Sequence, residues 1–231
     1  MGTFDNIPNS ALEEAFVRPK IGVQTIDMTG KKYEFEPTGN LYVKRDIDQT
    51  FIPRFAKELD VGIDLPVKIH IDRVKFTASG EEPDKLRYAM LHPDLRHYIF
   101  ENGDPYRGEP RPYLYVPPKG WAELPSGISI KLPDDAWGLI KNRSSTGWCK
   151  HLEVEPSTID PGYTGLLGTL VFNPNDTPVK VYEYDPKTKQ GDCLSQLILI
   201  PTYPLKNILL VDELPKTKRG STGFGSSAIN A

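Results

Sequence analysis

The amino-acid sequence predicts an all-β fold, either a sandwich or a jelly roll. Several segments of strand length have apolar residues that alternate with polar ones or form short continuous runs. Helical periodicity is scarce, and 22 prolines and 19 glycines among 231 residues punctuate the chain with turns. Many short strands joined by such turns are typical of β architectures built from two sheets or a closed one.

The strand signal is clearest in four segments. Apolar residues occupy every second position of 67–71 and of 128–132, which is the period of a half-buried strand. Residues 166–172 and 197–200 are short apolar runs. Proline, asparagine, aspartate and glycine separate these segments, so we expect turns between the strands.

Two segments predict helices. Residues 10–16 have room for two helical turns. Residues 81–91 predict one helix, with Ser79 as its N-cap and Glu82 three residues further on. Pro93 would end this helix.

Three regions stand apart from the strand-rich part of the chain. Residues 1–40 form a polar N-terminal extension, and residues 72–118, rich in proline and aromatic side chains, form an insertion or small subdomain with the predicted helix. Residues 216–231 predict a mobile tail, because so few apolar side chains cannot offset the entropy cost of ordering it. The β domain then spans residues 41–215 and contains the insertion.

Composition excludes several classes of protein. The formal net charge is −3, which provides no overall positive field for a nucleic acid or an anionic membrane. Two cysteines, Cys149 and Cys193, are too few for a disulfide framework, and residues 1–19 lack the apolar run of a secretion signal. We therefore expect a soluble protein of the cytoplasm, or of the host cytoplasm if it is viral, with no nucleic-acid or membrane partner.

Two segments suit a ligand that carries phosphates. Arg143 is followed by three hydroxyl residues, and a bidentate cation beside hydroxyls can clamp neighbouring phosphates. Residues 216–227 combine three cations with glycines, hydroxyls and the single aromatic Phe224, a composition that suits a polyphosphate and a stacked base. The plainer interpretations are an exposed turn for the first segment and a disordered terminus for the second.

Polar residues at predicted turns and strand starts form a second group of candidates. Asp160 and Tyr163 lie in an Asp-Pro-Gly-Tyr turn between two strand candidates. A carboxylate held there can act as a general base on water, and a tyrosine ring can pack under a sugar. Asp64 and Gln196 each stand at a predicted strand start. Individually, these residues are also explained as a turn, a cap and an edge polar group.

The sequence disfavours zinc chemistry and acyl transfer. Its four histidines show no paired metal-ligand spacing, and it contains no Cys-x-x-Cys. No Gly-x-Ser-x-Gly motif or cysteine–histidine pairing indicates an acyl-transfer nucleophile.

Five of these segments occur in an order that resembles the trimeric dUTPase family, within the superfamily that also contains the dCTP deaminases. They are Gly-Ile-Asp-Leu at 62–65, Arg-Ser-Ser at 143–145, Thr-Ile-Asp-Pro-Gly-Tyr-Thr-Gly at 158–165 continuing to Asn173, Gly-Asp-Cys-Leu-Ser-Gln-Leu at 191–197, and Arg-Gly-Ser-Thr-Gly-Phe-Gly-Ser-Ser at 219–227. The third and fifth are highly specific. The resemblance covers roughly residues 41–71 and 119–231 and leaves the extension and the insertion unexplained. It implies a jelly roll, or distorted β-barrel, and a homotrimer whose active sites are shared between subunits.

The resemblance also implies a reaction and a role for each residue. The reaction is hydrolysis of dUTP to dUMP and pyrophosphate, which limits uracil in DNA and supplies dUMP for dTMP synthesis. Asp160 would activate the water that attacks the α-phosphorus, Tyr163 would pack against the deoxyribose, and Asp64 would position the cofactor Mg²⁺ through water. The other residues implied to bind the substrate are Arg143, Ser144, Ser145 and Gln196 of the β domain, and Arg219, Phe224, Gly225 and Ser226 of the tail. The tail would act as a lid.

The sequence departs from the family pattern at several positions. Val61, Asn142 and Ser145 stand where the family usually has alanine, proline and glycine. The Arg-Ser-Ser segment is closer to the dCTP deaminases, which share the fold. Those enzymes need a glutamate where this chain has Leu170, and a leucine cannot transfer protons at cytosine C4. A dCTP deaminase-like activity, or a pyrophosphatase that also accepts dTTP or dCTP, stays an alternative.

A regulatory role for the insertion is a further alternative, in which the chain is a nucleotide-responsive protein that binds a partner through residues 72–118. Aromatic residues among prolines often mark interfaces, and the insertion carries Tyr98, Phe100, Tyr106, Tyr113 and Tyr115. The plainer interpretation is that these rings cover the core or a trimer edge.

Overall fold

The computed structural model describes residues 24–26, 32–34, 39–46, 60–104, 111–203 and 208–216, and β-strands dominate them. The strands are β1 (Gln24–Ile26), β2 (Lys32–Glu34), β3 (Tyr42–Arg45), β4 (Gly62–Leu65), β5 (Lys75–Phe76), β6 (Arg87–Tyr88), β7 (Ile99–Phe100), β8 (Tyr113–Val116), β9 (Trp121–Lys131), β10 (Ala136–Asn142), β11 (Glu153–Val154), β12 (Ser157–Ile159), β13 (Leu166–Phe172), β14 (Val179–Tyr182) and β15 (Ser195–Pro201). The helices are short: α1 (Pro93–Arg96), α2 (Ser144–Lys150) and two 3-10 turns at Pro83–Lys85 and Ala89–Leu91. The predicted all-β, jelly-roll-like class is confirmed.

Two antiparallel sheets form the body of the fold. One has the strand order β12-β10-β15-β4, and the other has the order β11-β13-β9-β5-β6 with β3 beside β9. Strands β14, β8 and β7 form a third sheet, and β1 pairs with β2. Sequence neighbours β12 and β13 belong to different sheets, so the segment between them crosses from one sheet to the other.

The longest strand, β9, contains Pro125 and Gly127 near its middle. Gly127 has a φ of +77°, which a residue with a side chain adopts only with strain. The pairing of β9 with β13 shifts register between Leu166 and Gly168, as at a β-bulge. The buried hydroxyl of Ser126 donates to the Leu167 carbonyl at 2.9 Å, so the irregular ladder keeps a hydrogen bond there.

Apolar side chains form two clusters along β9. The cluster around Ile128 and Ile130 packs against β4, β10 and β15, and the other packs around Leu124 and Val171. The second cluster includes Phe76 and other buried residues of the 72–118 region. That region therefore shares a hydrophobic core with the strands that flank it, while the domain boundaries given above stay predictions.

The predicted helix at 81–91 is wrong. The segment instead contains a 3-10 turn, the strand β6 and a second 3-10 turn. Arg87 pairs with Phe76 across β5 and β6, and the Glu81 side chain accepts hydrogen bonds from the Ala78 amide and from Arg87. These contacts outweigh the local helical pattern, because helix propensity is only a weak preference.

The two capping residues of that predicted helix also behave differently. Pro93 begins α1 rather than ending a helix, as proline does at a first helical position. The hydroxyl of Ser79 donates to the Pro118 carbonyl at 2.6 Å and caps no helix.

Three of the four predicted strand segments are strands in the structure. The predicted run at 166–172 is β13, the run at 197–200 lies within β15, and residues 128–131 of the run at 128–132 lie within β9. The alternating segment at 67–71 is not a ladder strand: Val67 and Ile69 are buried, but their amides donate to the Asp192 carbonyl and to the Glu183 side chain. The alternation therefore predicted the buried side chains Val67 and Ile69 correctly, but the predicted strand is absent.

The aromatic side chains of the 72–118 region pack on one another. Phe100 stacks on Tyr113 with their ring centroids 4.4 Å apart, Tyr115 lies edge-on to Tyr113 at 5.7 Å, and Tyr98 packs against Phe76 at 6.0 Å. Tyr113 is almost completely buried. This packing supports the interpretation that the rings cover the core. Tyr106 lies outside the described residues.

Within the described ranges, no helix has the length and apolar character required to cross a membrane. The helix predicted at 10–16 and the tail segment 217–231 lie outside those ranges.

A buried hydroxyl pair joins the two main sheets and gives a stability prediction. The hydroxyls of Thr169 on β13 and Ser195 on β15 are 2.5 Å apart, and both residues are buried. Thr169→Val or Ser195→Ala alone would leave one hydroxyl without its partner, so we expect each to lower the free energy of unfolding by about 1–3 kcal/mol. The double variant should lose clearly less than the sum.

Urea unfolding at one fixed protein concentration measures this cycle. The exposed Thr158 on β12 supplies the matched control, because Thr158→Val should change stability by less than about 0.5 kcal/mol. Strictly additive losses would show that the hydroxyl pair does not couple the sheets.

Candidate active site

Three strands of the four-stranded sheet bring together residues from three separate motifs. Asp64 on β4 and Gln196 on β15 are direct cross-strand partners. Asn142, the last residue of β10, pairs with Ser195, and Arg143 follows it at the start of α2. Residues that are far apart in the sequence therefore meet at one end of this sheet.

The guanidinium of Arg143 is held on two sides. Its Nε lies 2.7 Å from Oδ1 of Asp64, and its Nη1 donates to the Cys193 carbonyl at 3.2 Å. The Arg143 side chain is 34% exposed, and that of Asp64 is 23% exposed. Since a guanidinium carries five N–H donors in a planar fork, the group is fixed in place while one edge remains accessible to a ligand.

Gln196 is positioned by a glycine on the neighbouring strand. Its Nε2 donates to the Asn142 carbonyl at 3.2 Å. A Cβ atom on Gly62 would lie 2.1 Å from Oε1 of Gln196, so the glutamine side chain lies directly against the glycine backbone. Any larger residue at position 62 would displace the amide from the site.

The first two residues of α2, Ser144 and Ser145, are exposed beside Arg143. The next residue, Thr146, is buried, and its hydroxyl donates to the Leu194 carbonyl at 2.6 Å. The Arg143 amide donates to the same carbonyl at 3.1 Å. Both contacts fasten the start of the helix to the segment that precedes β15.

Burial changes the acidity of two groups in this part of the structure. Burial raises the pKa of Asp64, and it outweighs the opposing effect of the Arg143 guanidinium; Asp60 raises the pKa further. Burial, followed by the negative charge of Asp64, raises the pKa of the Cys193 thiol to about 12. Because nucleophilic cysteines need an accessible thiolate, the buried Cys193 is poorly suited to act as a nucleophile.

Asp160 and Tyr163 lie on the segment that crosses from β12 to β13. The Tyr163 amide donates to the Asp160 carbonyl at 3.0 Å, which closes the turn, and the Tyr163 hydroxyl donates to the Leu166 carbonyl at 3.0 Å. A Cβ on Gly165 would lie 2.5 Å from the Tyr163 hydroxyl oxygen, so glycine is needed for the ring to fold back. Both Asp160 and the Tyr163 ring are exposed.

The structure does not bring these two groups together within one chain. Ile159 pairs with Gly138 on β10, whereas Asn142, four residues further along the same strand, pairs with Ser195. Asp160 lies one residue beyond Ile159, on the side away from Asn142, and Arg143 lies one residue beyond Asn142 in the opposite direction. Their backbones are therefore separated by six positions along the sheet, or about 20 Å at the usual rise per residue.

The four tail residues predicted to bind the substrate lie outside the described residues; they are Arg219, Phe224, Gly225 and Ser226. Sequence reasoning also missed contributors. The carbonyls of Cys193 and Leu194 hold Arg143 and α2, and no side-chain pattern could have indicated backbone acceptors. Thr146 contributes through its buried hydroxyl, which gives no signal beyond its place among other hydroxyl residues.

Among the residues that the structure describes, no group of three or more histidine, cysteine, aspartate or glutamate side chains could hold a metal ion. Asp64 is the carboxylate of the Arg143 group. A single carboxylate suits a Mg²⁺ ion that keeps several waters and takes its other ligands from phosphates. The donor set therefore fits a magnesium–phosphate complex better than a resident metal centre.

Comparison with known proteins identifies the family of this chain. The family model described as dUTPase matches residues 111–228, just over half of the chain. Residues of four of the five motifs fall within this match, and β4, which carries the first motif, lies outside it but pairs with β15.

Curated relatives carry the name deoxyuridine 5'-triphosphate nucleotidohydrolase. The one from Arabidopsis thaliana is 34% identical over 114 residues, 49% of this chain and 64% of the relative. The one from Paramecium bursaria Chlorella virus 1 is 34% identical over 116 residues, 50% of this chain and 77% of the relative. A putative deoxyuridine 5'-triphosphate nucleotidohydrolase from Frog virus 3 is 34% identical over 116 residues, 50% of this chain and 66% of the relative. The match thus spans just under two thirds of the length of several of these relatives.

Solved structures support the fold. A dUTPase of Staphylococcus bacteriophage 80alpha with dUpNHpp superimposes with a TM-score of 0.51 at 18% identity, covering 82% of this chain and 98% of that chain. At this identity the likeness concerns the fold alone. The family match, the relatives and the five ordered motifs show that the chain belongs to the dUTPase family.

Proposed function

We propose that this protein hydrolyses dUTP to dUMP and pyrophosphate by attack of water on the α-phosphorus. The observation that carries the proposal is the group formed by Arg143, Asp64 and Gln196, three motif residues that meet at one end of the four-stranded sheet. The relatives named above are nucleotidohydrolases of deoxyuridine 5'-triphosphate. A dNTP carries several negative charges, and this group supplies a fixed cation, an amide and a carboxylate.

Arg143, Ser144, Ser145 and Gln196 bind the phosphates in this proposal. The guanidinium presents a planar set of donors that suits two phosphate oxygens. Because Asp64 and the Cys193 carbonyl already fix its orientation, little side-chain entropy is lost when the ligand binds. The exposed hydroxyls at the start of α2 add neutral donors beside the cation.

Asp64 contacts Mg²⁺ through water in this proposal. When bound, the ion neutralises charge on the phosphate oxygens and so favours attack on phosphorus. Asp64 is held beside Arg143 and is mostly buried, so its carboxylate keeps one position relative to the phosphate-binding donors. Its role is to orient the hydrated ion rather than to form the site alone.

Asp160 acts as the general base and Tyr163 as the residue that selects deoxyribose. Asp160 is exposed at a closed turn, where its carboxylate can accept a proton from the attacking water. The Tyr163 ring is fixed by its bond to the Leu166 carbonyl and by its contact with Gly165. A rigid ring packed under the sugar leaves no space for a ribose 2′-hydroxyl.

A homotrimer with shared sites explains why Asp160 and Arg143 are about 20 Å apart along the sheet. Such a distance is too long for both to act on one α-phosphate, but two copies can supply one residue each. A run of exposed apolar side chains between β15 and the tail also favours contact with another copy. These side chains, each 75–102% exposed apart from Val211 at 48%, are Ile208, Leu209, Leu210, Val211 and Leu214.

The tail completes the site as a lid in this proposal. Arg219, Ser226 and the Gly225 amide would close over the far phosphates, and Phe224 would stack on the uracil. Base–aromatic stacking contributes about 1–3 kcal/mol, enough to order a short glycine-rich segment when the ligand is present. Lid closure also excludes water other than the attacking molecule.

The structure gives a physical reason to prefer hydrolysis over deamination. Leu170 on β13 pairs directly with Glu123 on β9. The carboxylate of Glu123 forms an ion pair with Lys75 at 2.7 Å. Because it is already paired, it does not take the place of the glutamate that deaminases carry where this chain has Leu170. No observation favours a second activity.

We expect the purified protein with Mg²⁺ to release pyrophosphate from dUTP at least about 100-fold faster than from dTTP, dCTP or UTP, given a site that discriminates through hydrogen bonds and sterics. A pyrophosphate-release assay across these four nucleotides measures this. Equal turnover of another deoxynucleotide would contradict the substrate assignment, and ammonia release from dCTP would indicate a deaminase.

The variant Asp160→Asn tests the proposed general base, because it keeps the size of the side chain and removes its basicity. Turnover should fall by about 10²–10⁴-fold, the usual contribution of a general base, while calorimetric binding of dUpNHpp stays within about threefold of wild type. Asp176→Asn, at an exposed aspartate outside the motifs, should leave both unchanged. Full turnover by Asp160→Asn would remove the proposed base.

Mixing two inactive variants tests the shared site. Asp160→Asn and Arg143→Gln should each be inactive alone, but a randomly mixed equimolar trimer should recover roughly a quarter of wild-type activity, because about one interface in four combines two intact residues. Thermal melts of each variant serve as the folding control. If mixtures stay as inactive as their components, the site lies within a single chain.

Truncating the tail tests the lid. Deleting residues 217–231 should lower kcat for dUTP by about 10²-fold or more, because the far phosphates lose their ligands and the site stays open to water. Deleting residues 228–231 alone, beyond the last motif, should keep wild-type kinetics. Steady-state pyrophosphate release measures both, and unchanged kinetics of the longer deletion would rule out a lid.

A further inference from the structure

The helix that follows Arg143 is fastened at both ends to one short segment, residues 192–194. At its start, the Arg143 amide and the Thr146 hydroxyl donate to the Leu194 carbonyl at 3.1 and 2.6 Å, and Nη1 of Arg143 donates to the Cys193 carbonyl. At its end, Nζ of Lys150 lies 3.0 Å from Oδ2 of Asp192. The helix therefore has two attachments about one helix length apart.

The attachment at the end of α2 is mostly shielded from solvent. The side chains of Lys150 and Asp192 are 22% and 15% exposed. Nζ of Lys150 also donates to the Lys180 carbonyl on β14 at 2.9 Å. Charge-assisted hydrogen bonds are about twice as strong as neutral ones, and a shielded pair is weakened less by solvent than a surface pair.

Asp192 is itself fixed by the surrounding backbone. Its Oδ2 accepts the Tyr182 amide at 2.8 Å, its amide donates to the Tyr182 carbonyl at 3.2 Å, and its carbonyl accepts the Val67 amide at 3.0 Å. The preceding Gly191 has a φ of +108°, and a Cβ there would lie 2.2 Å from the Glu183 carbonyl oxygen. The segment thus adopts one conformation and gives Lys150 a rigid partner.

The helix needs these attachments because it is too short to hold its own orientation. It has seven residues, about two turns, and isolated helices of that length are not stable in water. The direction in which Arg143, Ser144 and Ser145 project is therefore set by the tertiary contacts at the two ends. With the far end loosened, the contacts with the Leu194 carbonyl would be left to hold the start of the helix.

We propose that Lys150 and Asp192 are positioning residues for the phosphate site. Their ion pair holds the end of α2 so that the guanidinium and hydroxyls at its start keep one orientation toward the phosphates. The inference rests on the proposed function of Arg143, and it assigns neither residue a contact with substrate. The five motifs give no role to Lys150, and they contain Asp192 without giving it one.

The test uses Lys150→Met, which keeps most of the apolar stem and removes the charge. We expect its calorimetric affinity for inorganic tripolyphosphate with Mg²⁺ to fall by about tenfold or more, since small displacements of binding groups are costly. KM for dUTP should rise by a similar factor with a smaller change in kcat, because the phosphate contacts are made before the transition state. Lys150→Arg, which can still pair with Asp192, should restore most of the loss.

Lys75→Met is the matched control. Lys75 lies on β5, its side chain is 25% exposed, and its Nζ is 2.7 Å from Glu123, so the control removes a comparable ion pair away from α2. Lys75→Met should lower the melting temperature about as much as Lys150→Met while leaving tripolyphosphate affinity unchanged. Equal effects of both variants on affinity would reduce the pair to a purely structural role and overturn the proposal.

Two results distinguish a failure of this inference from a failure of the proposed function. If wild type binds tripolyphosphate through Arg143 but does not hydrolyse dUTP, the reaction is wrong and the affinity comparison still decides the positioning role. Hydrogen exchange of peptides covering residues 143–150 should be faster in Lys150→Met than in wild type and in Lys75→Met. Unchanged exchange together with unchanged affinity would contradict the positioning role even if dUTP turnover is high.

Discussion

The ion pair between Arg143 and Asp64 links the fold to the candidate chemistry. It joins the end of β10 to β4, two strands separated by β15 in the same sheet. Partly buried charges are costly unless they are paired and hydrogen-bonded, and here the Cys193 carbonyl supplies the additional acceptor. The same contacts that reduce the cost of burying the guanidinium also fix its orientation, which is the preorganisation that the proposed phosphate site requires.

The crossing segment after β12 places the proposed base and the proposed sugar-contacting ring away from Arg143. Because β12 and β13 belong to different sheets, the turn with Asp160 and Tyr163 lies at the edge between them, away from Arg143. The antiparallel register fixes this separation, and side-chain motion cannot close a gap of about 20 Å. In the proposed mechanism, residues of two copies therefore have to meet at one substrate, and this register favours the proposed trimer.

Local signals predicted this fold well wherever the strand pattern decides the structure. Residues 166–172 are β13, and 197–200 lie within β15. They failed at 81–91, where pairing of β6 with β5 replaces a helix, and at 67–71, where buried alternation is not accompanied by a strand ladder. In both cases the partners are distant in the sequence, so no short-range pattern contains them. The aromatic region at 72–118 likewise proved to share the core of its flanking strands.

The sequence by itself determined the class of fold, the five ordered motifs and the residue types available for binding phosphates, because strand periodicity, turn residues and charged side chains are local properties. Only the tertiary structure decided which of them meet. It placed Asp64, Arg143 and Gln196 together, kept Asp160 apart, and added the carbonyls of residues 193 and 194 and the Lys150–Asp192 pair. Backbone acceptors and contacts between distant strands depend on sheet order, and sheet order is a property of the whole folded chain.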